Sequence, residues 1–118
     1  MKLIKKTYKT NNDKYYELHL KIINAILPVS LTEKEIKVLA KFMSLDKNII
    51  KEDVFNVIAR KKVKDALSLS NGGLSNYLKS MIKKGFLLKN EITKKIIIRD
   101  FLLPEDNEQY YKFKIIKE

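Results

Sequence analysis

A helix that stops at a glycine and passes at once into a strand constrains this chain more than any other feature. In residues 67–88, LSLSNGGLSNYLKSMIKKGFLL, Ser70 stands where a helix cap belongs, and Leu74, Leu78, Met81 and Ile82 follow at helical spacing. Ser75, Asn76, Lys79 and Lys83 fall outside that apolar face, which leaves one side of the helix uncommitted to the core. Gly85 can adopt the left-handed conformation that ends a helix, and Phe86, Leu87 and Leu88 change the pattern to that of a strand. Residues 86–89 and 95–99 can then pair as a hairpin with residues 90–94 at its tip.

The preceding segments read as helices that could support this unit. Residues 60–67 place Val63, Ala66 and Leu67 inside, with Arg60, Lys61, Lys62 and Lys64 outside. Thr32 and Glu35 have the spacing of a capping box, after which Ile36, Leu39, Ala40 and Met43 face a core, opposite Lys34, Lys37, Lys41 and Ser44. From residue 13 to residue 27, Tyr15, Leu18, Ile22 and Ile26 form one stripe and Tyr16, Leu20, Ile23 and Leu27 a second beside it, with Pro28 expected to end the helix. Such a wide face can cover the core or meet the same helix of a second copy. His19 has no acidic or cysteine companions in sequence and is read as structural or surface, not catalytic. Residues 45–59 read as a short helix or an extended insertion. Tyr111, Phe113 and Ile115 alternate with Lys112 and Lys114, which predicts a closing strand. Residues 1–12 read as a mobile basic arm: a solvated tail, a short strand, or a basic tail that tracks a phosphate backbone.

The wording from Leu69 to Leu87, LS…LSNYL…KKGFL, resembles the recognition helix of winged helix-turn-helix DNA-binding proteins of the kind found in bacterial and phage-encoded transcriptional regulators. LTEKEIKVL at residues 31–39 is similar to the first helix of many such regulators. The resemblance implies one α+β, mainly helical domain over residues 1–118, a winged helix-turn-helix with an N-terminal helix and a C-terminal β-wing. It also implies that residues 60–67 cross a DNA backbone while the next helix enters the major groove. Base readout is then expected from Asn71, Gly72, Ser75, Asn76 and Lys79. Phosphate contact is expected from Arg60, Lys61, Lys62, Lys64, Ser70, Lys83, Lys94, Lys95 and Arg99. The pair Gly72-Gly73 either lets a phosphate or base edge approach the backbone or relaxes a tight corner.

Charge sharpens this expectation. Residues 60–99 hold eleven Lys or Arg against two acids, so nine of the eleven net positive charges lie on that span. A polyanionic partner is the natural inference. All but two of the basic residues are lysines, which favours phosphate attraction over the forked recognition of guanine by arginine. The chain has no cysteine, hence neither a disulfide framework nor a thiolate metal site, and no metal or other cofactor is expected. No constellation of acid, base and nucleophile stands out, so no enzymatic activity is expected. The basic start lacks the apolar run of an export signal, and no stretch approaches ~20 apolar residues, so the expected location is the cytoplasm, without membrane insertion. The leading expectation is sequence-specific binding of double-stranded DNA by a small, phage-type transcriptional regulator, with a homodimer as one form. The rival is an adaptor whose basic face meets an acidic protein in a virion, replication or RNA polymerase assembly.

Overall fold

Local signals start and stop most of the helices in the computed structural model, which describes residues 2–51 and 53–118. Asn11 caps α1 (Asn12–Asn24) by accepting a hydrogen bond from the Lys14 amide. Thr32 and Glu35 form the full reciprocal capping box at the start of α2 (Glu33–Ser44). A four-residue α3 (Lys47–Ile50) follows, then α4 (Val57–Leu67), α5 (Asn71–Lys83), an antiparallel hairpin of β1 (Leu87–Lys89) and β2 (Ile96–Ile98), and a 3-10 turn (Asp100–Leu102). The fold is therefore α+β and mainly helical. In the hairpin Leu87 pairs with Ile98, Leu88 with Ile97 and Lys89 with Ile96.

The core forms where α2 lies against α1, α4 and α5. Ile36, Leu39, Ala40 and Met43 are buried as their spacing requires, joined by Val38 and Phe42; Leu74, Leu78, Met81 and Leu87 close it from the other side. Phe42 meets Phe55 at 4.7 Å between ring centres, anchoring the connection between α3 and α4. Ser44 is buried, not solvated as its helical position suggests: its hydroxyl donates to the Lys41 carbonyl, and its own carbonyl accepts from the Asn12 side chain. Ala66 is exposed because α4 turns only the Ala59–Val63 line inward.

Three boundaries depart from the sequence pattern. The first helix ends at Asn24, three residues short of Leu27, because the Asn24 amide clamps the Leu31 backbone from both sides at 2.7 and 3.1 Å and folds the intervening loop back. The fourth begins at Val57, three residues before Arg60, because Asn56 caps it by accepting from the Ala59 amide at 2.8 Å. The expected closing strand does not form. Residues 109–118 run without a paired neighbour, leaving Phe113 and Ile115 exposed, since alternation makes a strand only where a free edge lies alongside.

What holds the last segment is His19. It is buried, its Nε2–H donates to the Leu102 carbonyl at 2.9 Å, and its Nδ1 accepts from the Tyr111 hydroxyl. Tyr15 donates to the Asp106 carbonyl one turn earlier on α1. Burial pushes the imidazole below its ordinary value of 6.5, against the opposing pull of the Leu102 carbonyl. The unfolded chain therefore takes up this proton first. The His19 contribution to stability is complete above about pH 6.5 and is lost as pH falls through the lower folded value. Urea midpoints measured across this window should fall with acidification in the native protein and much less in His19→Gln. Parallel curves would remove His19 as the cause.

Candidate nucleic-acid interface

The basic surface is built on α4, a three-residue turn, α5 and the hairpin. Ser68 ends α4 in the left-handed conformation (φ 54°), with the Leu69 amide reaching back to the Lys64 carbonyl at 2.9 Å. Two residues later Ser70 opens α5 by accepting from the Gly73 amide at 2.9 Å. At the far end Gly85 (φ 86°) closes α5. Its amide donates to the Ile82 carbonyl and that of Phe86 to the Met81 carbonyl, the paired bonds of a Schellman cap. The hairpin is thereby fixed to α5 by one residue of special geometry.

Of the residues expected to read bases, Asn71, Gly72, Asn76 and Lys79 are exposed and Ser75 is half-buried; Gly72, Asn76 and Lys79 share one face of α5, while Asn71 stands at its entrance. Gly72 is not needed for internal packing: a Cβ built there would meet nothing within 4 Å. At Gly73 a Cβ would come within 3.1 Å of the Ser70 hydroxyl, so that glycine serves the cap. Lys64 donates to the Asn71 side chain and so couples the two helices through residues assigned to different roles.

The residues expected to meet phosphate divide by how free they are. Arg60 is half-buried and its Nε donates to the Phe55 carbonyl at 2.7 Å, which ties one of its five N–H donors to the fold. Lys61 pairs with Asp65 at 3.2 Å one turn along, and Lys94 with Glu91 at 3.5 Å at the hairpin tip; both pairs are exposed and weak. The Ser70 hydroxyl is occupied as a cap. Lys62, Lys83, Lys95 and Arg99 are exposed and carry no ion pair among the described residues. Arg99 lies over the Phe101 ring at 5.5 Å.

Sequence reasoning missed three features. The first is a shallow concavity of about 340 Å³ on the hairpin, lined in part by Lys89 and Lys95, two of the lysines that make this hairpin basic in sequence. Ile92 at the hairpin tip is 92% exposed, although Asn90 and Thr93 around it already read as a turn. Glu35, seen in sequence only as a cap, also ties α2 to α5. Its buried carboxylate accepts from the Thr32 amide and the Lys84 ammonium at 2.7 and 2.6 Å, and from the Ser80 hydroxyl at 2.7 Å. Burial raises its pKa, but the bonds from Lys84, Thr32 and Ser80 and the Lys84 charge outweigh this and leave it below the usual value. Lys84 is thus spent inside the fold.

Among the described residues, no group of three or more His, Cys, Asp or Glu side chains converges as a metal site, and no helix is long and apolar enough to cross a membrane. Comparison of the chain with family models, with curated proteins and with solved structures found no match.

Proposed function

We propose that the chain is a non-enzymatic winged helix-turn-helix protein that binds double-stranded DNA sequence-specifically, as a small transcriptional regulator of phage type. The observation that carries this reading is the line Gly72, Asn76, Lys79 and Lys83, which lies exposed along α5, the helix that α4 precedes and the lysine-bearing hairpin follows in the chain. An exposed helix bearing amide and ammonium donors suits base edges in the major groove. Cations on both sides suit the two phosphate strands that border the groove. Leu18 and Ile22 on α1, half-buried, and Ile26 just beyond its end, exposed, are not absorbed by the core and support a homodimer with two recognition helices. A monomer in sedimentation equilibrium at tens of micromolar would count against the dimer.

The test separates reading from holding. After selection of bound sequences from random duplexes, Asn76→Ala should alter the preferred sequence, with a loss of roughly 1–3 kcal/mol on the best site. Lys94→Ala combined with Lys95→Ala should weaken all duplexes alike. Unchanged preference in Asn76→Ala would remove the helix from base readout. One observation favours a protein partner instead: Val57 and Ile58 at the start of α4 are 84% and 62% exposed, an apolar step beside the basic surface. An adaptor meeting an acidic protein would use both, and would bind that protein tightly while ignoring duplex.

A further inference from the structure

The hairpin tip holds an apolar side chain out of the protein by means of a closely bonded turn. The Asn90 side chain accepts from the Ile92 and Thr93 amides at 2.9 and 3.0 Å, while its backbone accepts from the Lys94 amide and donates to the Lys95 carbonyl. Lys94 completes the turn in the left-handed conformation (φ 63°). These bonds satisfy the backbone and leave the Ile92 side chain, 92% exposed, as what the tip presents. Further back in the hairpin the cross-strand pair Leu88 and Ile97, 46% and 52% exposed, forms a second apolar spot. Lys89, the last residue of β1, and Lys95, just before β2, stand on the two arms of the tip and help line the concavity that Leu88 and Ile97 also border. Glu91, the acid at the tip, is matched by Lys94 at 3.5 Å.

We infer that Ile92 is a wedge that enters the minor groove of bound DNA and partly unstacks one base step, an inference that rests on the DNA-binding reading above. The basic frame selects a polyanion, and the dimensions select the groove. Paired strands lie ~4.8 Å apart before side chains are added, so the hairpin body cannot enter a minor groove ~6 Å wide, whereas one isoleucine side chain can. The lysines flanking it then fall over the phosphates on the two walls. Apolar wedges of this kind open a step and bend the duplex by ~20–90°. An apolar side chain that a hydrogen-bonded turn presents among lysines has this use on DNA and none in a purely electrostatic clamp.

The experiment uses the full chain and a duplex recovered by selection, carrying 2-aminopurine at each step of the flanking sequence in turn. Wild type should raise the fluorescence at one step and bend the duplex in a circular-permutation gel assay. Ile92→Ala should keep the wild-type melting temperature, lose the fluorescence rise and the bend, and bind about tenfold more weakly with an unchanged salt slope. Ile92→Phe should restore all three readouts. Binding by wild type without any fluorescence rise, or a rise that survives in Ile92→Ala, would overturn the wedge while leaving DNA binding in place. Failure of wild type to bind any duplex would overturn both.

Discussion

Replacing Glu35 by alanine should cost the fold about 3 kcal/mol, the low end of the range for breaking a buried ion pair. The low end applies because the Lys84 side chain is 23% exposed and can turn to water, whereas the Thr32 amide and the Ser80 hydroxyl lose a partner with nothing in its place. For a domain whose whole stability is of order 5–15 kcal/mol, the loss should lower the melting temperature by roughly 10–15 °C. Glu35→Gln should fall between, since its carbonyl still accepts while its amide meets the Lys84 ammonium donor to donor. The acid limb carries a second signature. Because the folded carboxyl titrates below its ordinary 4.5, the unfolded chain is protonated first. The contribution is present above about pH 4.5 and lost as pH falls through the folded value. Glu35→Gln should lack that acid-dependent loss. A calorimetric melt unchanged in Glu35→Ala would show that the network holds nothing.

Duplex binding should weaken about a thousandfold between 50 and 200 mM salt, the largest effect expected of this molecule. Lys62, Lys79, Lys83, Lys89, Lys95 and Arg99 are exposed and without ion pairs among the described residues. At ~0.9 counterions released per phosphate neutralised, these side chains give a log–log slope of about −5. Lys62→Gln with Lys95→Gln should make the slope shallower by about 2, and neither residue supports the core. The measurement is fluorescence anisotropy on an unrelated duplex across a salt series. A slope near zero would leave an acidic protein as the better partner.

Residues whose structural partners lie within one turn were legible in sequence. Ser70, Gly85 and the Thr32–Glu35 box act on their own helix ends, and each does what its position implies. Asn24 and Glu35 show where such reading stops. Asn24 shortens α1 through Leu31, and Glu35 finds Lys84 forty-nine residues away; no helical period carries either contact. The alternation at Tyr111, Phe113 and Ile115 was legible as a pattern, but a strand also needs an edge, which is a property of the whole sheet. In the candidate interface the exposed line on α5 followed from spacing. Which cations were already engaged, as Arg60 is with Phe55, required the fold.

The long reach of His19 also bears on the order of events during synthesis. Its two partners lie 83 and 92 residues downstream, so α1 is made early yet cannot complete its packing until almost the whole chain is present. Closing so large a loop is entropically costly and adds nothing until both ends meet. On a translating ribosome, α1 can pack on α2 as soon as both have emerged, but its His19 side stays open until residues 102–111 arrive, and that side is the sticky element of the nascent chain.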